Sequence, residues 1–547
     1  MLDAELDTEA LSERERRLLV GAVNAHVLTT PARRLTVHLY EPHSDFTPRT
    51  TDDRTFDGRS RLYRRRRGTL TVRGRAHGTS ALTVDPRQDV LLGGSIRHVM
   101  LSSDATAAAR PEFVPPGDVR GRVLRRMRTA APLWYDELRD LEILRHSRPL
   151  RHRVKRAHDR SMMREDGPFA RASMNPAGPA PAGAVHAVLV AMHWFEMGGA
   201  ERWAFETIRL VREAGLLPVV LTTRDSHHEE ITTDLLDGAL LLPLSETTSL
   251  TQTPGSEQLL RTLIENVDLR GVVVHHSQWL YDRLPFLRRS REDVPIVDST
   301  HILEYRGGGF PAASARASDY IDLHHVISPA LARWMTEVQG VAREHVVMAP
   351  LGGLTVDAHA DAAVRPRPGD RPFTVAFVGR LARQKAPEVF VEAAARIHRQ
   401  RPEVRFVLHG HGELKGWVDD LVRAAGLEGV VQRRDGAVPV DETFAETDLL
   451  VVPSHNEGLT LTTLEAIAHG VPVVSTDVGA QPDILPPEAL APRNVHRAVR
   501  GIADLVVRYH DDEDARLRLW ESERSAERAL LAHRSANQWF EEMVASW

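Results

Sequence analysis

From residue 185 onward, short apolar runs of strand length alternate with amphipathic helical stretches, and the alternation runs through twice. The first series passes from AVHAVLVAM through the helical ERWAFETIRLVREAG to PVVLTT, then through GVVVHH and PIVDSTH to HVVMAPLG. A polar, proline-rich connection, DAHADAAVRPRPGDRP, separates it from a second series. That series starts afresh with FTVAFVGRL and runs through APEVFVEAAARIHRQ, RFVLHGHG, DLLVVPS and TLTTLEAIAHG to VPVVSTD. Strand and helix alternating in this way predict parallel sheets covered by helices. The expected architecture is α/β, two Rossmann-like domains facing each other across a cleft. Ligands of such sheets bind beyond the carboxyl ends of the strands, so the loops that follow the strands are where chemistry is expected.

The chain ahead of residue 185 reads differently. At 547 residues the whole exceeds what one hydrophobic core supports. Residues 1–115 read as a β-rich accessory domain, because RLTVHLYEP, GTLTVRGRAH, SALTVDP and DVLLGGSIRHVML are short β-patterned pieces parted by Pro, Gly and Asp turn signals. No helical period lies between them, so an all-β unit is expected over 34–105. Residues 116–184 read as a basic helical connector, carrying Arg120, Arg122, Arg125, Arg126 and Arg128, then Arg151, Arg153, Lys155 and Arg156. It ends in the linker SMNPAGPAPAGA. Residues 185–355 and 356–525 are the two Rossmann-like domains, and 526–547 a C-terminal helix for which a return to the first of them is one option.

Composition removes several function classes. A formal net charge of -5 argues against a nucleic-acid partner, whose binding domains carry a basic excess. The absence of cysteine excludes disulfides, thiolate nucleophiles and cysteine-ligated zinc. The N-terminal MLDAELDTEALSERERRLLVGAV is acidic where a signal peptide is basic, and no apolar run reaches the roughly 18 residues of a membrane span. A cytoplasmic location is expected. The basic connector leaves two options open, a solvated ion-paired helix or a peripheral contact with the inner face of an anionic membrane.

The segment 453–479, PSHNEGLTLTTLEAIAHGVPVVSTDVG, together with VGRLARQK at 378–385, resembles the donor-binding signature of the family 4 retaining glycosyltransferases, which have the GT-B fold. The resemblance runs from about residue 185 to about residue 500 and is strongest in the second half. Glu457 and Glu465 match the family's E-x7-E pair. Carboxylates accept strongly from sugar hydroxyls, although two glutamates near a helix start also suit the helix dipole alone. The resemblance implies that Glu457 holds the donor sugar and Glu465 the ribose. Gly458, Leu459, Thr460 and Leu461 lead into a helix whose free N–H groups favour a diphosphate. Gly379, Arg380 and Lys385 fall in the pattern G-R-L-x-x-x-K, which implies two cations offsetting charge on the leaving group.

Gly410, Gly412 and Glu413, in HGHGE, resemble the G-x-G-E-L turn beside the nucleotide. Two histidines with one glutamate also spell a metal set, but adjacent turn positions rarely converge on one ion, and no metal is expected. Gly198 and Gly199 match a G-G-A-E loop that brings backbone amides to the donor or acceptor from across the cleft. His301, after PIVDST, matches the histidine placed beside the reaction centre. His275 and His276 read equally as cleft or packing residues. Arg306 to Gly309 reads as a loop over the acceptor or as a plain loop. Asp512, Glu513 and Asp514 spell D-x-D but sit in an acidic helical run, where a solvated face is expected. Ala480, Gln481 and Asp483 depart from the family's glycine and glutamate, which leaves the fine geometry around the sugar open.

The resemblance implies a retaining, metal-independent glycosyltransferase with a nucleotide diphosphate sugar as donor and no further cofactor. The acceptor is a glycan, a lipid-linked group or a protein, cell-surface glycan or glycolipid assembly is the expected setting, and self-association stays open. The competing readings are a nucleotide-sugar epimerase or phosphorylase on the same fold, or a non-catalytic sugar-nucleotide-binding scaffold.

Overall fold

The structure, a computed structural model, describes residues 3–4, 10–29, 34–43, 49–53, 65–73, 95–102, 119–138, 141, 176–193, 195, 199–222, 236, 238–243, 256–305, 308–351, 362–364, 366–367, 369 and 371–547. Its strands form three sheets. The first joins β1 (Asp3–Ala4), β2 (Arg34–His43), β3 (Arg49–Asp52), β4 (Arg66–Arg73) and β5 (Ile96–Ser102) in the order β1-β4-β2-β5-β3. It is mixed, because β2 and β5 run parallel while the other pairs are antiparallel. Helix Glu13–Thr29 covers it, burying Leu18 and Leu19 against Leu35, Val37, Leu39, Leu70 and Val99. The elements described within 34–105 are all strands, and the helix that covers their sheet lies ahead of that span. The helix follows a capping box in which Ser12 and Glu15 each accept from the other's backbone N–H. The piece SALTVDP and the basic cluster at 151–156 lie outside the described residues.

The second sheet comprises β6 (His186–Met192), β7 (Leu217–Thr222), β8 (Leu240–Pro243), β9 (Asp268–His275), β10 (Ile296–Thr300), β11 (Leu323–Val326) and β12 (Val346–Met348), ordered β12-β11-β10-β9-β6-β7-β8. The third comprises β13 (Thr374–Val378), β14 (Arg405–His409), β15 (Val431–Arg434), β16 (Leu449–Val452), β17 (Val473–Thr476) and β18 (Leu490–Ala491), ordered β15-β14-β13-β16-β17-β18. Both are parallel throughout. Strands such as β7, β13 and β16 read as near-continuous apolar runs because helices bury both faces. This is the GT-B arrangement of two Rossmann-like units.

Chain segments outside the two units tie them together. Helix Glu13–Thr29 also lies along β8, where the Asn24 amide donates to the Leu241 carbonyl at 3.0 Å. The connector helix Val119–Ala130 and the helical stretch 132–138 dock instead on the second unit. There the Trp417 indole donates to the Arg128 carbonyl at 2.8 Å, and Tyr135 meets the Trp417 ring edge-on at 5.8 Å. Helix Ala536–Val544 returns to the first unit, where Trp539 stacks on His325 at 4.8 Å and Phe540 meets Trp203 at 6.0 Å. Among the described residues no helix is long and apolar enough to cross a membrane.

Candidate active site

In the third sheet the strand order reverses beside β13, with β14 on one side and β16 on the other. The loops after β13 and β16 therefore part at a topological switch point, where open α/β sheets bind ligands. The first of these loops carries Gly379, Arg380 and Lys385 and the second carries Glu457. The Lys385 ammonium donates to Glu457 Oε1 at 2.7 Å, and the Ser454 hydroxyl donates to the same oxygen at 2.6 Å. Glu457 is 3% exposed, and these two donors satisfy the inward-facing oxygen. The loops are also joined by their backbones: His455 N donates to the Gln384 carbonyl at 2.9 Å, and the Gln384 amide to the Asn456 carbonyl at 3.1 Å.

Gly410 and Gly412 lie against the first of these loops. A Cβ on Gly410 would stand 1.9 Å from the Gly379 carbonyl oxygen, and one on Gly412 2.5 Å from that of Leu381. Only glycine lets the two loops run this close, held by Gly379 N to His409 O at 3.0 Å and Leu381 N to His411 O at 2.7 Å. Glu413 follows, half-buried, and Arg380 is exposed.

Gly458, buried Leu459 and buried Thr460 lead into helix Leu461–Ala468. Gln481, 1% exposed, donates to the hydroxyls of Thr460 at 3.3 Å and Thr463 at 3.0 Å, which shapes the helix start. Glu465 sits one turn further in, half-buried. Burial raises its carboxyl above the usual range, with Arg202 of the first unit and His469 pulling the other way. Gly199 opens helix Gly199–Glu213 of that unit, and a Cβ there would meet the Leu461 side chain at 3.4 Å. Gly198 lies outside the described residues.

His301 follows β10 and meets the second unit directly. Leu303 N donates to the Glu457 carbonyl at 2.9 Å, and Ile302 pairs with Gly458 as an isolated bridge. The His301 ring is fixed by a chain of partners. His325 donates from Nε2 to the Ala349 carbonyl at 2.8 Å, so its Nδ1 accepts from the Ser299 hydroxyl at 2.6 Å. Ser299 has then used its proton, and it accepts from Trp203 Nε1 at 3.0 Å and from His301 Nε2 at 3.0 Å. His301 Nδ1 is left as a bare acceptor, buried and without a partner among the described residues. Burial, aided by His276, His275 and His325, holds the imidazole well below its ordinary pKa and hence neutral. A neutral ring with a free lone pair suits accepting a hydroxyl proton or hydrogen bond. His276 accepts from His301 N at 3.1 Å and stacks on Phe310 at 4.4 Å, while both ring nitrogens of His275 are buried without partners among the described residues.

Other candidates have structural duties. Gly308 and Gly309 start helix Gly309–Arg316, with Glu304 accepting from Phe310 N at 2.9 Å, and Arg306 and Gly307 lie outside the described residues. Asp512 caps helix Glu513–Leu531, and Glu513 pairs with Arg516 at 2.6 Å, in line with the surface reading of D-x-D. Asp483 turns to the first unit, accepting from Ala330 N at 2.6 Å and pairing with Arg333 at 2.8 Å. The departure from the family pattern there joins the two halves. Ser454 and Arg202 were not singled out from sequence. Only Ser454, in the same loop three residues before Glu457, carried a local signal.

Among the described residues one group has the composition of a metal site, Asp136, Glu388 and His455. Its charges are already balanced by protein. Arg383 donates to Asp136 through Nε at 3.0 Å and Nη2 at 3.2 Å, and His455 Nε2 lies 3.1 Å from Glu388 and 3.5 Å from Asp136. Burial opposes charge on His455, but hydrogen bonds to Asp136 and Glu388 outweigh it and raise the imidazole to about 9. Burial likewise pushes against the Asp136 carboxylate, and hydrogen bonds from His455 and Arg383 hold it down at about 2. An imidazole raised in the fold stabilises fully below its unfolded value, and that contribution is lost as pH rises through about 9. Melting temperature should therefore fall more steeply from about pH 7 to about pH 10 in the parent protein than in His455→Gln. Equal slopes in calorimetric scans would show that His455 carries no proton in the folded state at neutral pH.

Residues 372–511 match the family model of the glycosyl transferases group 1. The D-inositol 3-phosphate glycosyltransferase of Nocardia farcinica is 30% identical over 276 residues, which covers 44% of this chain and 56% of that one. Its counterpart in Kineococcus radiotolerans is 26% identical over 322 residues, 52% of this chain and 74% of that one. The chain spans about half the length of the first of these relatives. Among solved structures, Anabaena HepE in complex with UDP and glucose aligns with a TM-score of 0.50 at 16% identity, covering 66% of this chain and 98% of its own, which shows a shared fold.

Proposed function

We propose that this chain, whose residues 372–511 form a glycosyl transferases group 1 domain, transfers a glycosyl group from a nucleoside diphosphate sugar to a hydroxyl-bearing acceptor. The observation that carries this reading is the Lys385–Glu457 pair at the switch point of the third sheet. An ammonium has three protons and gives one to Glu457, so two remain for a diphosphate. Arg380 and the amides at the start of helix Leu461–Ala468 add positive potential beside it. Glu457 keeps lone pairs for the hydroxyls of the sugar, and Glu465, one turn into the helix, suits the ribose.

Across the cleft, His301 Nδ1 can accept from a donor-sugar hydroxyl. As the glycosidic C–O bond to the diphosphate breaks, negative charge grows on the leaving oxygen, and Arg380, Lys385 and the helix amides stabilise it. The acceptor hydroxyl attacks from the face the leaving group vacates and passes its proton to the departing diphosphate oxygen, giving retention without a metal. We place this transfer in the assembly of a cell-surface glycan or glycolipid.

A uridine, guanosine or adenosine diphosphate that binds the folded state alone raises the melting temperature. At about 100 Kd the stabilisation is about 2.7 kcal/mol, a shift of several degrees. One of the three should give that shift in a thermal-shift screen, and its sugar conjugates should then support transfer to added acceptors. No shift with any of them would remove the donor-site reading.

A further inference from the structure

The family domain begins at residue 372, yet the loops that bear Lys385 and Glu457 are gripped by a residue far ahead of it. Asp136 lies on the helical stretch 132–138 of the connector and is 4% exposed. One of its partners, Arg383, stands two residues before Lys385, and the other, His455, two residues before Glu457. The carboxylate thus spans the two loops at the same offset from the two charged groups of the candidate site. Glu388, at the start of helix Pro387–Gln400, closes the set by pairing with His455 from the far side.

The charges decide what this cluster is. Two carboxylates face a guanidinium and an imidazolium, so the set is neutral as it stands. A metal would have to expel the His455 proton and break the two-point hold of Arg383 on Asp136. Fork-to-carboxylate contact fixes orientation as well as distance, which a single point charge does not. The Arg383–Asp136 bond also bridges 247 positions of sequence, so it reports the docking of the connector and not local structure.

We propose that the connector is part of the donor-site machinery, with Asp136 a positioning residue that sets the spacing of the Lys385 and Glu457 loops by holding Arg383 and His455 together. This rests on the donor-site reading for its catalytic meaning, but the mechanical claim stands apart from it. Docking of the connector and readiness of the site are then one event, and any partner that pulls the connector away loosens the donor loops.

The test is hydrogen–deuterium exchange by mass spectrometry on the full chain, comparing the parent with Asp136→Asn. Amides in 380–385 and 454–458 should exchange about tenfold faster in the variant, while the strands of the first unit stay protected. Glu137→Gln serves as control, because Glu137 on the same stretch pairs instead with His496 at 3.5 Å. It should leave both loops unchanged. If Asp136→Asn does not fold, Arg383→Lys keeps the charge, loses the two-point hold, and should show the same local loosening. Asp136→Glu should restore part of the protection. Unchanged exchange in the loops, or a rise spread evenly over the molecule, overturns the proposal.

The binding arm uses UDP, GDP and ADP. For whichever binds the parent, Asp136→Asn should weaken affinity about tenfold at temperatures where the variant is fully folded, and a pure loss of melting temperature with unchanged affinity counts against positioning. Should none bind the parent while the loops still loosen, it is the donor-site reading that fails and the mechanical role that stands.

Discussion

Glu457→Gln lowers kcat/KM for glycosyl transfer by about 10²- to 10³-fold, the usual cost of removing one preorganised electrostatic group, and lowers the melting temperature by only a few degrees. The side chain keeps its shape. What goes is the negative charge that orients Lys385 at 2.7 Å and accepts from Ser454 at 2.6 Å. Breaking a fully buried ion pair costs about 3–5 kcal/mol, but Lys385 is 22% exposed, so water recovers part of the loss and about 1–2 kcal/mol is expected. Steady-state kinetics beside differential scanning calorimetry separates the two effects. Activity and melting temperature falling in proportion would mean that Glu457 serves only to hold the loop.

Gly458→Ala tests the contact between the two halves. Its added Cβ would stand 1.6 Å from the His301 carbonyl oxygen, backbone against backbone, with no flexible side chain to give way. The halves must part at this point by an ångström or more, breaking the Ile302 bridge and the bond from Leu303 N to Glu457 O. Displacements near 1 Å can cost about 10²-fold in rate, and a loss of that order or larger is expected in kcat/KM. Nucleotide affinity should change much less, since Arg380, Lys385 and the amides of helix Leu461–Ala468, the groups proposed for the diphosphate, lie in the second unit. Turnover within a factor of about two of the parent's would show that the halves do not meet at Gly458 during the reaction.

These effects trace to loops whose residue types could be read directly. The spacing of Glu457 and Glu465, the run Gly379 to Lys385 and the two series of apolar strands were all visible in order, because each is local. Short strands were less legible. The runs LLLP of β8, LHHV of β11 and VQRR of β15 are four residues each, and two of them mix polar side chains into a sheet that neighbours complete. The helix Glu13–Thr29 was hidden by its charge density, ERERR, although Ser12 and Glu15 spell a capping box.

What no local pattern could give was distance. Asp136 beside Arg383, Asp483 beside Ala330 and Arg333, and the His325–Ser299–His301 chain all join residues that the backbone keeps apart until the sheets assemble. His275 and His276 read equally as cleft or packing residues because the roles of their ring nitrogens depend on partners. Once Ala349 accepts from His325 the rest of the proton pattern follows, and the sequence holds no trace of that.

The return of helix Ala536–Val544 to the first unit has a bearing on how the molecule comes into being. Trp203 and His325 belong to a unit whose strands have all emerged by β12, but Phe540 and Trp539, which cover them, are made only after the whole second unit. At about 5–20 residues per second on the ribosome, the first unit waits on the order of ten seconds or longer with that aromatic face uncovered. It is then sealed by the segment made after its neighbour, so the half that begins first is the half that finishes last.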